Sequence, residues 1–280
     1  MIGRVRAMAA NIEGSDGLLV EENGPVVTIT IDRPDVMNAM TTEMFANFGR
    51  ICRQVSTDPG VRAVVVTGSG GNFCSGADVG AQGQRVAAEE RPHQLRTMRL
   101  ISETVIALHE LQHPVVAKVR GVAVGAGMNL ALGCDMVVAS DTARFSEIFA
   151  RRGLSLDFGG SWLLPRQVGL HRAKELALLA EVIDAAEADR IGLVNGVLPD
   201  EVLDGAVADI VEQIVAGPPL ALSTSKKLLN SGAVSSLSQA LEAEAQAQTV
   251  NFSTADVAEA ALSWSEKRPA EFQGRELLGN

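Results

Sequence analysis

Two stretches of this chain carry an apolar run into a turn of small residues: AVVVTGSGGNFCSGADVG, residues 63 to 80, and VVAKVRGVAVGAGMNLAL, residues 115 to 132. Glycine and alanine at such turns let a ligand approach the backbone and leave N–H groups free to point at it. Two such donors aimed at one oxygen form an oxyanion hole, in which losing a single donor costs ~10²–10³ in rate. Turn formation and close helix packing account for the same glycines without any ligand. Neither stretch is a nucleotide fingerprint, because GVAVGAG has the wrong glycine spacing and no P-loop lysine follows.

A third stretch, GLSLDFGGSWLLPR, places Asp157 before a glycine pair and among Leu154, Leu156 and Phe158. That pattern predicts a turn entering a helix inside a dry pocket, where burial raises an aspartate pKa and suits it to moving a proton. The structural alternative is an N-cap for the SWLLPR helix, although Ser161 is available for that job. Glu147 is a second carboxylate nearby that could assist Asp157; a surface ion pair with Arg151 at i+4 is the role its spacing favours. The four histidines, His93, His109, His113 and His171, offer no metal-binding spacing on one helix face, so no metal is expected. Cys52, Cys74 and Cys134 form neither a metal pattern nor an even disulfide framework, which suits core fillers in a reducing cytoplasm.

These groups need a scaffold, and the first two thirds of the chain alternate apolar β-branched runs with glycine turns and helical stretches. PVVTITID (25 to 32), AVVVTG (63 to 68), PVVAKVRG (114 to 121) and DMVVAS (135 to 140) read as buried strands of an α/β core. Between the first two, Met44, Phe45, Phe48, Ile51 and Val55 share one helical face, with Thr41 or Thr42 as cap. The strand signal stops near residue 205. Four amphipathic stretches follow, and their wide apolar faces predict packing against another subunit.

The expected organisation is a flexible tail over 1–16, a catalytic core over 17–205 and a helical oligomerisation subdomain over 206–280. MIGRVRAMAANIEGSDG makes a poor secretory signal, and no run reaches the roughly 18 apolar residues that span a bilayer. With 280 residues and a net charge of −10, the chain can bury a sizeable core but is ill suited to laying a polyanion over its surface. Nucleic acid and membrane are therefore not expected partners; a local basic patch for one phosphorylated ligand is still allowed.

Taken in order, ITIDRPDVMNAM, VVVTGSGGNFCSGADV, PVVAKVRGVAVGAGMNLALGCDMVVAS, ARFSEIFARRGLSLDFGGSWLLPRQVG and WSEKRPAEF resemble the successive signatures of the enoyl-CoA hydratase/isomerase, or crotonase, superfamily, from about residue 17 to 272. The resemblance implies a spiral of ββα units with a helical trimerisation region, giving a trimer or a dimer of trimers. It implies an acyl-CoA substrate whose thioester enolate is held by the N–H groups of Ala77 and of Ala126, in the turn opened by Gly125. It places CoA near Asp35, Val36 and Met37 and near Ser75, Gly76, Ala77, Asp78 and Val79. Lys267 resembles the basic residue that reaches a CoA phosphate, often from a neighbouring subunit; a solvated helix end explains it equally well. Trp264 has a similar choice between subunit packing and lining the pocket. No cofactor is implied beyond the coenzyme A of the substrate.

The chain departs from the hydratases of this superfamily where their two glutamates fall, at Asn129 and Phe149. An asparagine can hold a water but cannot act as a general base near neutral pH, and a phenylalanine can do neither. Local bonding in a helix's first turn for Asn129 and core packing for Phe149 are the favoured readings, although the resemblance also sets both among the substrate-binding positions. The acid–base work then passes to Asp157, and the pattern resembles the enoyl-CoA isomerases of the phenylacetate-degradation type. The aryl-CoA dehalogenases fit less well, because their partner histidine falls at Ser102. A 2-enoyl-CoA hydratase of fatty-acid metabolism and a non-catalytic CoA- or RNA-binding relative are the alternatives.

Overall fold

The computed structural model describes residues 14–78 and 93–275. Val79 and most of the 1–16 segment lie outside the described residues.

The strands are β1 (Leu18–Asn23), β2 (Val26–Ile31), β3 (Ala63–Gly68), β4 (Val115–Val119), β5 (Val122–Val124), β6 (Met136–Ser140), β7 (Arg144–Ser146), β8 (Ile183–Asp184) and β9 (Gly196–Leu198). A six-stranded sheet runs β1-β2-β3-β4-β6-β9, antiparallel only at β1-β2, and a smaller sheet runs β5-β7-β8. Successive turns of the chain feed both sheets. After β4 the chain turns at Gly121 into β5 and a helix, and after β6 it turns into β7 and another helix. An isolated parallel bridge between Cys74 and Ala123 extends the same habit back to the segment after β3. This is the expected layered spiral, and the four expected strands match β2, β3, β4 and β6. β5, β7, β8 and β9 are two or three residues long, too short for alternation to show in sequence.

The helices are α1 (Thr42–Ser56), α2 (Gln94–His109), α3 (Ala126–Leu132), α4 (Gly160–Leu179, broken at Gly169), α5 (Ala185–Arg190), α6 (Leu203–Ala216), α7 (Pro219–Gly232), α8 (Leu237–Phe252) and α9 (Ala255–Glu266). Thr41, whose hydroxyl accepts from the Met44 N–H, caps α1. Met44, Phe45, Phe48, Ile51 and Val55 are all buried on the sheet side, as the periodicity requires. α2 crosses α1 closely: Thr104 Oγ1 donates to the Phe45 carbonyl at 2.8 Å, and Gly49 stands where a Cβ would be 3.1 Å from the Thr104 Cα.

Both faces of the large sheet are covered. Val27, Ile29, Ile31, Val64 and Val66 face the main core with α1, and Val65, Val116 and Val138 face Leu203, Val207, Val211 and Ile214 of α6. Near-continuous apolar strands follow from this double burial. Beyond α6 the surface changes: Leu229, Leu237, Leu241, Phe252 and Leu262 are exposed. Among the described residues no single helix is long and apolar enough to cross a membrane.

Candidate active site

The two small-residue turns lie against each other. On one side, Met40 donates to the Gly76 carbonyl and accepts from the Asp78 N–H, both at 2.8 Å, as in a parallel bridge with Ala77. Peptide groups alternate along an extended segment, so the Ala77 N–H turns away from Met40, and it has no partner among the described residues. On the other side, Gly125 sits at φ +57° as the N-cap of α3 and donates to the Ser146 carbonyl at 2.8 Å. Ala126 is then the first residue of the helix, whose opening N–H groups have no intrahelical acceptor. Its N–H has no partner among the described residues and carries the positive end of the helix dipole.

Glycine is what brings these donors together. A Cβ on Gly76, at φ +95°, would lie 2.8 Å from the Val124 carbonyl oxygen and 3.5 Å from the Ala126 nitrogen. A Cβ on Gly127 would lie 2.1 Å from the Cys74 carbonyl oxygen. The glycines thus let one backbone approach the other, besides opening room for a ligand.

Below this pair lies a group of polar side chains. Asn129, in the first turns of α3, is fully buried, and its Nδ2 donates to Glu147 Oε2 at 3.3 Å and to the Asp157 carbonyl at 3.0 Å. The expected local bonding of Asn129 is therefore wrong: its partners lie 18 and 28 residues away. Gly160 makes room for it, since a Cβ there would lie 2.4 Å from Nδ2. The ion pair expected between Glu147 and Arg151 is also absent. The segment Ile148–Arg152 is a 3₁₀ helix, so the α-helical i+4 geometry does not arise; Arg151 is exposed and Glu147 is fully buried. Burial pushes the Glu147 carboxyl up to about 8; the Asn129 hydrogen bond pulls it down and the Asp157 charge adds to the rise.

Asp157 sits in the turn before α4, as expected, and burial pushes its carboxyl up to about 6. Gly159 caps α4 with no side-chain cap, and Asp157 Oδ1 is buried without a partner, so this carboxylate does not cap the helix. Ser161, exposed in the first turn, does not cap it either. Of the apolar neighbours expected around it, Phe158 is buried and meets the Phe45 ring at 5.2 Å, Leu156 is half-buried and Leu154 is 57% exposed. Leu154 therefore does not help to dry the site. Phe149 is buried, its ring edge 3.6 Å from where a Cβ on Gly125 would stand, so it closes the α3 turn with hydrocarbon.

Residues 21–275 match the family described as Enoyl-CoA hydratase/isomerase. The chain belongs to that family. It is an acyl-CoA enzyme of the hydratase/isomerase kind, and relatives carry names of both kinds. It is 38% identical over 264 residues to a Rhodobacter capsulatus protein named probable enoyl-CoA hydratase, covering 94% of this chain and 97% of that one. It is 33% identical over 250 residues to the 1,2-epoxyphenylacetyl-CoA isomerase of Escherichia coli, covering 89% of this chain and 95% of that one. Among solved structures, a Thermobifida fusca protein in complex with CoA superposes with a TM-score of 0.78 at 35% identity, covering 84% of this chain and 93% of that chain.

Several residues expected to touch CoA in this enoyl-CoA hydratase/isomerase chain are gathered beside the Ala77 turn. Asp35, Val36 and Met37 are exposed on a short 3₁₀ turn. Ser75 joins them, its N–H donating to the Met37 carbonyl at 3.0 Å and its hydroxyl to the Val36 carbonyl at 3.2 Å. Asp78 pairs with Arg33 at 2.8 Å. Two others are not brought in within this chain: Trp264 is 86% exposed on α9, and Lys267 is exposed in the left-handed cap that ends it. Ser102 is exposed on α2 and bonded to the Met98 carbonyl.

Sequence reasoning missed Asn38. It is fully buried at φ +58°, its Nδ2 donates to the carbonyls of Ser69 and Asn72 at 2.8 and 2.7 Å, and its Oδ1 accepts from the Arg33 N–H at 2.8 Å. It clamps the 3₁₀ turn Pro34–Val36 to the loop that leads to Ala77. Asparagine's tolerance of the left-handed region is the only sequence signal it offers.

Proposed function

We infer that this protein moves a carbon–carbon double bond within an enoyl-CoA thioester. The observation that carries this is Asp157, a half-buried carboxylate with an unpartnered oxygen, in a chain whose positions 129 and 149 hold no acid. The N–H groups of Ala77 and Ala126 would receive the thioester oxygen. Asp157 would take a proton from C2 of a 3-enoyl-CoA, the dienolate would form with its charge on that oxygen, and Asp157 would return the proton at C4. One carboxyl group suffices because the proton leaves and returns on the same molecule. Its raised pKa favours this shuttling, since the proton must be neither too tightly nor too weakly held at neutral pH.

The CoA moiety is assigned to the surface of Asp35, Val36, Met37, Ser75, Gly76 and Asp78, with Lys267 and Trp264 supplied by a neighbouring subunit. Exposed Leu237, Leu241, Phe252 and Leu262 on α8 and α9 support subunit packing by the 206–280 segment, as a trimer or dimer of trimers. Three buried free cysteines accord with a cytoplasmic setting, and no cofactor is needed beyond the substrate's coenzyme A.

A second function, hydration of a 2-enoyl-CoA, draws support from Glu147, a second carboxyl group joined to Asn129. Incubating wild type and Asp157→Asn with paired 2-enoyl and 3-enoyl thioesters in D₂O separates the two. Isomerisation moves the double bond without adding oxygen, with deuterium at C4 or C2 wherever the Asp157 proton exchanges with solvent before it returns, and it disappears in the variant. A 3-hydroxyacyl product from the 2-enoyl substrate, with no bond shift in the 3-enoyl substrate, would overturn the isomerase assignment. Tight CoA binding with no turnover of either substrate would assign the chain to CoA binding alone.

A further inference from the structure

Three side chains around the Asp157 turn each carry a buried oxygen with no hydrogen-bond partner: Asn129 Oδ1, Glu147 Oε1 and Asp157 Oδ1. The only side-chain donor among them is the Asn129 amide, already shared between Glu147 Oε2 and the Asp157 carbonyl. Buried acceptors left over in this way are costly unless a water or a bound proton reaches them. Asn129 from α3 and Asp157 from the loop before α4 are the polar groups that face Glu147. None of the ion pairs among the described residues includes either carboxyl group.

Glu147 also precedes the 3₁₀ helix that carries Phe149, and Gly160 presses bare backbone against the Asn129 carboxamide. The amide is therefore held between three segments, and its orientation depends on which of them offers an acceptor. Glu147 Oε2 and the Asp157 carbonyl are the two acceptors found, so the carboxyl group and the Asp157 turn are joined through one nitrogen.

We propose that Glu147 is a positioning residue for the reaction: by accepting from the Asn129 carboxamide it fixes how that amide meets the Asp157 carbonyl, and so where the Asp157 carboxyl group stands against the acyl chain. A Glu147 that keeps its proton leaves the single negative charge of the pair on Asp157, the group that takes the substrate proton. This role rests on the isomerase assignment for its kinetic readout but not for its structural one.

The test compares Glu147→Gln with Glu147→Leu. Carboxyl-¹³C NMR of aspartate-labelled protein, with Asp157→Asn assigning the resonance, follows Asp157 without substrate. The leucine variant is expected to displace the Asp157 resonance and its titration midpoint and to lower kcat by ~10²-fold at unchanged KM, whereas the glutamine variant keeps both near wild type, within about threefold in kcat. Asn129→Leu removes the same bridge and is expected to displace the resonance in the same way, which covers a leucine variant at 147 that fails to fold. A folded Glu147→Leu or Asn129→Leu protein with the wild-type Asp157 resonance overturns the proposal. So does a glutamine variant as slow as the leucine one while Asp157 is undisturbed, since Glu147 would then transfer a proton itself. If wild type shifts no double bond, the isomerase assignment fails and the NMR comparison still decides the positioning role.

Discussion

Gly127 and Cys74 touch through bare backbone: a Cβ on Gly127 would lie 2.1 Å from the Cys74 carbonyl oxygen. The carbonyl cannot swing aside like the end of a side chain, because it accepts from the Val124 N–H at 3.0 Å while the Cys74 N–H donates to the Val122 carbonyl at 2.9 Å, as in parallel strand pairing. Any side chain at 127 must therefore separate the Ala77 and Ala126 turns.

Gly127→Ala is accordingly expected to destabilise the fold by ~1–3 kcal/mol or more through overpacking. Its effect on turnover should exceed its effect on stability, because moving one oxyanion donor out of place costs ~10²–10³ in kcat. Urea unfolding and steady-state kinetics on the same preparation check both. A variant with wild-type kcat would remove Ala126 from the site.

Asp157→Asn keeps the shape of the side chain and removes the base. The expected loss in kcat is ~10²–10⁴-fold, the usual contribution of a positioned general acid–base group, with little change in affinity for the thioester. For wild type, a base held near 6 predicts that kcat/KM rises with pH through about 6. A declining limb near 8 is expected where Glu147 ionises and places a second negative charge beside Asp157. A pH–rate profile flat from 5 to 9 would contradict both assignments.

The same carboxyl groups make stability depend on pH in a definite direction. Both folded-state pKa values lie above the ordinary carboxylate range, Asp157 at about 6 and Glu147 at about 8. The folded state then holds protons that the unfolded state has released, so this contribution is fully present below about pH 4 and is lost as pH rises to about 8. Glu147→Gln carries no such charge. It is expected to match wild type near pH 4 and to exceed it near pH 8 by on the order of a few kcal/mol in urea unfolding.

Gly160→Ala tests the buried amide from the other side. Its methyl group would stand 2.4 Å from Asn129 Nδ2, and the amide must rotate away from Glu147 and Asp157 to admit it. The cost should be ~1–3 kcal/mol in stability, with a fall in kcat that resembles that of Asn129→Leu. Combining the two changes should then add little to either, because both break one bridge.

Much of this protein is determined by local pattern. The apolar runs of β2, β3, β4 and β6 and the α1 face are visible because burial on a sheet or one helix side repeats at a fixed spacing in the chain. α7 to α9 are visible for the same reason, and the glycine turns and the absence of acid at 129 and 149 are properties of residue type alone. What the tertiary structure decided is pairing between residues far apart. Asn129 serves Glu147 and the Asp157 backbone, Asn38 ties the Pro34–Val36 turn to the loop before Ala77, and Gly76 and Gly127 admit a neighbouring backbone. Glu147 changed most, from a surface partner of Arg151 to a buried acid, because a 3₁₀ helix does not present i and i+4 on one face. Helical and strand periodicities report which side of an element is buried; only the folded chain decides which buried groups meet.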